Sequence, residues 1–371
     1  MSVKIDYFLV DPMSYDNLEQ YDKNLLQEFN NDELLFLCST KISETPLNVK
    51  TKKIYSYNDK KSVMKLFSYL LSQFHLISLV FLEKPKSIHF QWFKIPVIDF
   101  YLLKSIKLIS KNTKIIFTAH NMLPHDTGNT YYKKYRDIYN FIDVIIVHDL
   151  YTQKQINHKF GISIDKIKVV RHGLLNINVD KQKVNEFYIK NKVDNKIVFS
   201  LLGSLENYKG INLIYEVWNT IEAINSSKNI KLIIAGRGKS DVIKKFKKFD
   251  NVLVVDRYLS NEEFIGFMKV SDVVLMPYEK ISQSGVLLTA INERKLSIVS
   301  NVGGLTEPFA LAKIGWVMSD YSKMELGKII EEASRLLKKK IYITDEDYNR
   351  LNEYYDWKNI SNQTKNIYNG L

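Results

Sequence analysis

Residues 197–215 read IVFSLLGSLENYKGINLIY. The first six are apolar or small and open on β-branched and aromatic side chains, so the run reads as a buried strand. Gly203 ends it, a polar loop continues to Lys209-Gly210, and from Ile211 apolar residues recur at helical spacing as far as 224. A strand that feeds a loop and then a helix is the repeating unit of parallel α/β architecture.

The same unit recurs on both sides. Upstream, strands are expected at 4–10, 34–38, 87–90, 114–118, 144–147 and 168–170, with helices such as 101–110 and 152–159 between them. Downstream, strands at 231–235, 252–255, 273–276 and 297–300 alternate with helices at 241–249, 262–270 and 285–294. Residues 176–195 are polar, lysine-rich and without a strand pattern, and read as a linker whose helical part is attached to either domain. A last helix is expected from Thr344, where Thr344-x-x-Asp347 has capping-box spacing. The chain therefore reads as two consecutive Rossmann-like domains, residues 1–180 and 181–345, with a helix over 346–371 that packs back on the first. In such folds ligands lie at the carboxyl ends of the strands, here in a crevice that both domains face.

A length of 371 residues suits two domains, and 45% hydrophobic with 25% charged content is that of a folded chain. Cys38 is the only cysteine, so no disulfide framework or cysteine-based zinc site can form; a reducing, cytoplasmic setting is expected. The opening Met1-Ser2-Val3-Lys4-Ile5-Asp6 carries no secretory apolar region. The longest apolar stretch, 66–82, is broken by Ser68, Ser72, Gln73, His75 and Ser78, short of a membrane span. The net charge of +12 has two readings, a polyanionic neighbour or a lysine-rich solvated surface, and charge alone does not choose.

Three clusters fall at strand ends. After strand 114–118 come His120, Asn121 and, past Pro124, His125. Two histidines and an amide on a strand-end loop suit a polar ligand, although a lone loop histidine is more often bonded to backbone. After strand 197–202, Gly203 and Ser204 lead to Lys209, which with the amides of the next helix would form an anion site. An ordinary turn with a solvated lysine is the plainer reading. After strand 273–276, Ser282 and Ser284 precede Gly285 and Val286, a helix start whose free amides suit a diphosphate and whose serines also serve as simple caps. Gly236, Arg257 and Tyr258, at the ends of the neighbouring strands, complete the expected donor wall.

The order of these motifs, with Arg171-His172-Gly173 before the linker and Val302-Gly303-Gly304-x-x-Glu307 near the end, resembles bacterial family 4 (group 1) glycosyltransferases of the GT-B fold, of surface-polysaccharide type. The resemblance covers nearly the whole chain and implies an N-terminal acceptor domain and a C-terminal donor domain around a central cleft. It implies that His120 lines the donor sugar, that His172-Gly173 closes the first domain at the cleft, that Lys209 neutralises the donor diphosphate, and that the helix start at Gly285 faces diphosphate and sugar. The sequence departs from the family in three places. Ser204 stands where an arginine is common, and Ser282 and Ala290 stand where two glutamates meet the sugar and the ribose. Glu293, one helical turn beyond Ala290, lies on a similar face and could replace the second.

The reaction so implied moves a sugar from a UDP- or GDP-linked donor to a saccharide acceptor, lipid-linked, with retention, no metal and no further cofactor. Lys209 and the helix amides would stabilise the leaving phosphate, Ser282 would hydrogen-bond the sugar, and His120 would position it or assist proton movement. The helix over 101–109, apolar with Lys104 and Lys107, reads equally as a core helix or as one resting on an anionic membrane face. A nucleotide-sugar epimerase of the same fold class needs cleft carboxylates that the clusters lack. A nucleic-acid-binding module would interleave basic and aromatic residues on one motif, and here they are spread, so no nucleic acid is expected. Gly236-Arg237-Gly238-Lys239-Ser240 ends like a phosphate loop but lacks its first glycine, Ile233 standing there.

Overall fold

The computed structural model describes residues 5–57, 62–123, 130–193, 195–223, 229–338 and 342–370. The chain divides into two compact units, residues 1–172 with 356–371, and residues 173–355.

In the first unit, β1 (Tyr7–Asp11), α1 (Glu19–Leu25), β2 (Leu34–Ser39), β3 (Lys50–Tyr55) and α2 (Ser62–Glu83) are followed by β4 (Ser87–Phe90), α3 (Pro96–Ile109) and β5 (Lys114–Thr118). Then come α4 (Tyr132–Phe141), β6 (Val144–Val147), α5 (Leu150–Phe160) and β7 (Ile167–Val169). The seven strands are all parallel, in the order β3-β2-β1-β4-β5-β6-β7. Side chains alternate between faces, so Phe8 and Val10 join one core with α2 to α5, and Tyr7 and Leu9 join another with α1. Local chemistry sets the helix ends. Pro96 opens α3, the Asp149 carboxylate caps α5 by accepting the Thr152 amide at 2.7 Å, and Gly161 closes α5 with φ +69°.

The second unit runs α6 (Lys181–Asn191), β8 (Ile197–Leu202), α7 (Ile211–Ala223), β9 (Ile230–Gly236), α8 (Val242–Lys245) and β10 (Val252–Asp256). It continues with α9 (Asn261–Val270), β11 (Val273–Met276), α10 (Gly285–Asn292), β12 (Leu296–Ser300), β13 (Gly315–Met318), α11 (Lys323–Leu337) and α12 (Asp345–Tyr354). Its six parallel strands lie in the order β10-β9-β8-β11-β12-β13, over a core built around Phe199, Trp218, Ile234 and Met276. The chain then ends in α13 (Trp357–Asn369), which packs on the first unit beside α1.

Several boundaries differ from the sequence reading. The helical part of the linker, residues 181–191, belongs to the second unit: Phe187 of α6 packs edge-on against Phe267 of α9, ring centroids 4.8 Å apart, over Gly266. The final helix is two helices. Thr344 caps α12 by accepting the Asp347 amide at 3.1 Å, and Asp356 breaks the run and caps α13 through the Asn359 amide at 2.9 Å. The second unit thus extends to Tyr355, ten residues beyond 345. Strands β3 and β13 were not anticipated, and both lie at sheet edges.

Candidate functional site

Each sheet reverses its winding at one point, between β1 and β4 in the first unit and between β8 and β11 in the second. Carboxyl ends flanking such a reversal leave a crevice, because the connecting helices depart to opposite faces. The sequence clusters collect around these two points.

In the second unit, β8 ends at Gly203 (φ +95°) and β9 at Gly236 (φ +145°). A Cβ on Gly236 would lie 1.6 Å from the Gly203 carbonyl oxygen, so only glycine lets the two strand ends meet. Gly210 (φ +78°) approaches the next loop equally closely, its missing Cβ falling 2.0 Å from the Pro277 carbonyl oxygen. The Glu279 amide also donates to the Tyr208 carbonyl at 2.8 Å. The loops after β8 and β11, far apart in sequence, are therefore one structure.

Between them lies Lys209, only 8% exposed. Its ammonium sits 5.4 Å from the centre of the Tyr278 ring and makes no ion pair among the described residues. Burial pulls its pKa down to about 8, with Glu206 opposing weakly from a distance. A buried ammonium without a carboxylate partner is costly unless an anion arrives. Next to it α10 begins. Ser284 is the N-cap and accepts the Leu287 amide at 3.4 Å, which leaves the amides of exposed Gly285 and of Val286 without intrahelical partners. The methyl carbons of Val286 face Gly203, whose missing Cβ would lie 3.6 Å from Cγ2 and 3.9 Å from Lys209 Nζ. Lys209, Gly203, Ser284, Gly285 and Val286 are thus brought together. Ser282 stands beside them, its carbonyl accepting the Gly304 amide at 2.8 Å, and Ser204 is exposed on the same loop.

Other expected donor residues lie elsewhere. Arg257 and Tyr258 follow β10, the edge strand, two strands from β8; the Arg257 guanidinium is held by the Glu263 carboxylate. Glu293 does not extend the face that starts at Ser284. It is the C-cap of α10, roughly 12 Å along the axis from the helix start at 1.5 Å per residue. Ala290 is fully buried in the core.

In the first unit, Asp11, Gln91, Ala119 and His148 follow adjacent strands along one edge of the sheet, and His120 rises from it. His148 Nδ1 lies 2.9 Å from the Val170 carbonyl, His148 Nε2 lies 3.1 Å from His120 Nδ1, and His120 Nε2 lies 2.9 Å from the Gln91 side-chain amide. A carbonyl only accepts, so His148 carries its proton on Nδ1 and accepts at Nε2. His120 then donates from Nδ1 and keeps an acceptor at Nε2. Gln91 must offer it NH₂, and that NH₂ is left buried without a partner when Oε1 faces the ring. Burial first, and the neighbouring histidines second, hold His120 well below the usual imidazole range; burial and His172 push His148 down to about 3. Trp92 stacks on His120 at 4.5 Å, and Tyr21 meets the rings of His120, His148 and His172 at 5.0 to 5.6 Å. His120 is a neutral, clamped ring that offers a hydrogen-bond acceptor. It is poorly built to carry a full proton.

Asn121 is half-buried next to His120; His125 lies outside the described residues. His172 ends the first unit and Gly173 begins the second. The sequence reading did not single out Gln91, Trp92, His148 or the buried pair Asp11 and Asp22. Burial raises both of these carboxyls, and the charge of Asp22 raises Asp11 further, so the pair retains a proton. Their signal was positional: Asp11 ends β1 and Gln91-Trp92 follow β4, the strands beside the reversal, and His148 follows β6, two strands from β4. Among the described residues, no three His, Cys, Asp or Glu side chains gather as a metal site.

No curated protein matches the sequence. Residues 182–354 match the family model described as glycosyl transferases group 1. Among solved structures, Alr3699/HepE of Anabaena, in complex with UDP and glucose, aligns with a TM-score of 0.70 and 13% identity over 99% of this chain and 100% of its own. Sucrose-phosphate synthase of Thermosynechococcus elongatus gives 0.70 and 13% over 98% of both chains. The lipopolysaccharide outer core galactosyltransferase WaaB gives 0.68 and 15% over 99% and 100%. The chain has the α/β fold of GT-B glycosyltransferases, and its second unit carries the group 1 glycosyl transferase pattern over residues 182–354.

Proposed function

We propose that the protein is a glycosyltransferase of family 4 that moves a sugar from a nucleoside diphosphate donor to a lipid-linked saccharide acceptor, with retention and without a metal. The observation that carries the reading is Lys209, a buried ammonium with no ion-pair partner among the described residues, beside an open helix N-terminus. Cleavage of the bond between the anomeric carbon and the diphosphate oxygen builds negative charge on the phosphate as the sugar becomes oxocarbenium-like. Lys209 and the amides of Gly285 and Val286 are fixed donors for that charge, and such donors are each worth on the order of a hundredfold in rate. Ser282 replaces the first of the family's two carboxylates by a hydroxyl contact to the sugar. On the acceptor side, His120 Nε2 is the ring atom for which a sugar hydroxyl would compete with Gln91. UDP is the favoured nucleotide, supported by the likeness to HepE. Bacterial surface-polysaccharide assembly, such as that of a capsule, on the cytoplasmic side of the membrane is the setting that the motif order supports.

The test is thermal unfolding with a panel of UDP-, GDP- and dTDP-sugars. One donor is expected to raise the melting temperature of the wild type by mass action and not that of Lys209→Ala. No shift with any donor, or an equal shift in Lys209→Ala, rejects the phosphate assignment. Turnover that persists with excess chelator supports the metal-free reading, and its loss rejects it.

A further inference from the structure

We infer that α2, helped by the outer edge of α3, seats the first unit on an anionic lipid bilayer. The inference deepens the reading of a lipid-linked acceptor and rests on it for its purpose. The observation behind it is separate: α2 is apolar on both sides.

At 100° per residue, Tyr69, Ser72, Gln73, Leu76, Leu79 and Val80 share one face of α2, and all six are buried, with Leu76 and Val80 fully within the core. Val63, Phe67, Leu71, Phe74, Phe81 and Leu82 fall within an opposite arc about 100° wide, a stripe roughly 25–30 Å long. Every one of these six is more than half exposed, Phe74 at 65% and Val63 at 84%. Scattered exposed apolar residues are ordinary on a protein surface, but a helical stripe of this length, interrupted in its arc only by the exposed Ser78, is not. By length and composition α2 could cross a membrane, yet its inner face is spent on the sheet, so it can only lie along a surface. The sequence reading left residues 101–109 open between this role and that of a core helix. There Leu102, Leu103 and Ile106 are buried and Lys107 is tied to Asp143 at 2.8 Å, so α3 contributes Val97, Tyr101, Lys104 and Leu108 to the outer surface.

Charge identifies the occupant. Residues 62–112 hold seven lysines against two carboxylates, Glu83 and Asp99. Asp99 is buried under Tyr69, whereas Lys65, Lys84, Lys94 and Lys104 on the same stretch of chain are exposed. A second copy of the chain on this face would bring like charges together. Anionic headgroups accept the lysines while the acyl boundary takes the phenylalanines.

Flotation of the full chain with vesicles tests this, comparing phosphatidylcholine alone with phosphatidylcholine containing about one-third phosphatidylglycerol. Wild type is expected on the anionic vesicles, less so at high salt, and the Phe67→Ser/Phe74→Ser/Phe81→Ser variant is expected to bind about tenfold less or worse. These side chains are exposed, so the variant should keep its melting temperature and its response to the nucleotide-sugar, which separates this result from the donor-site reading. Three outcomes overturn the inference: no wild-type flotation on anionic vesicles, equal flotation of the variant, or a wild-type dimer that the three serines dissociate.

Discussion

Lys209 sets function against stability at one residue. Its folded pKa of about 8 lies below the ordinary 10.5, so the folded state favours the neutral amine and disfavours the charged one. The sign follows: the unfolded chain binds more protons between these values, the penalty is complete below about pH 8, and it fades as pH rises towards 10.5. Lys209→Met should therefore be more stable than wild type at pH 7 by on the order of 1–3 kcal/mol in urea titrations. The same variant should bind the donor ten- to a hundredfold more weakly by calorimetry, as expected for a lost charged hydrogen bond. Wild-type affinity should fall as pH rises through about 8, where the free protein loses the ammonium, and the variant should show no such slope. The imidazoles allow a sharper check. Long-range ¹H–¹⁵N spectra should show His148 and His120 as neutral Nδ1–H tautomers from neutral pH down to about 5, because burial holds both below the usual range. An Nε2–H signal from either would break the chain that runs from Val170 to Gln91. Lys209 and His120 were legible in the sequence because each stands in a loop directly after a strong strand pattern. Gln91 and His148 were not, since only the strand order β1-β4-β5-β6 makes their strand ends neighbours of His120.

At the scale of elements, the central strands were plain, and two of the four edge strands, β3 and β13, were not. A parallel strand buried on both faces is a run of apolar residues, as in Val144–Val147 and Val273–Met276. Edge strand β3 reads Lys-Thr-Lys-Lys-Ile-Tyr, with Lys50, Lys52 and Lys53 exposed, so its composition guards an open edge and hides its conformation. Helix α6 was taken for a linker because only Val184 is fully buried; its packing rests on the half-buried Phe187 finding Gly266. The loop pairing around Lys209 was legible as two motifs and not as one structure, because nothing local links Gly210 to Pro277. Gly210→Ala tests that link. The left-handed φ and the 2.0 Å approach to the Pro277 carbonyl should cost about 2 kcal/mol or more, read as a lowered urea midpoint with an unchanged slope. Donor-induced stabilisation should shrink in the same protein, since the two loops would be forced apart. Gly161→Ala serves as the comparison: it carries a similar φ of +69° with no atom near the missing Cβ and should lower stability less and spare donor binding.

Across the whole molecule, two successive Rossmann-like sheets could be read from the alternation of patterns, whereas nothing local to the tail states which of them it joins. Where it lands follows from tertiary packing. Ile360 and Tyr368 of α13 enter the core behind Tyr7, Leu9 and Phe36, the Tyr368 hydroxyl meets His89 Nδ1 at 2.7 Å, and Lys365 pairs with Glu33 at 2.7 Å. Deleting residues 356–371 should lower and broaden the first unit's calorimetric transition and open residues 1–172 to protease. The second unit should keep its own transition and its shift with nucleotide-sugar, because Gly173–Tyr355 is continuous and its two ends meet where the Leu174 amide donates to the Tyr355 carbonyl at 3.3 Å. That arrangement also fixes a schedule. The seven strands that leave the ribosome first cannot cover one face until residues 357–369 have been translated, whereas everything the second unit needs is available earlier. The half of the chain made first is therefore the half finished last, and throughout the intervening synthesis the part of its sheet face beyond the reach of α1 stays uncovered.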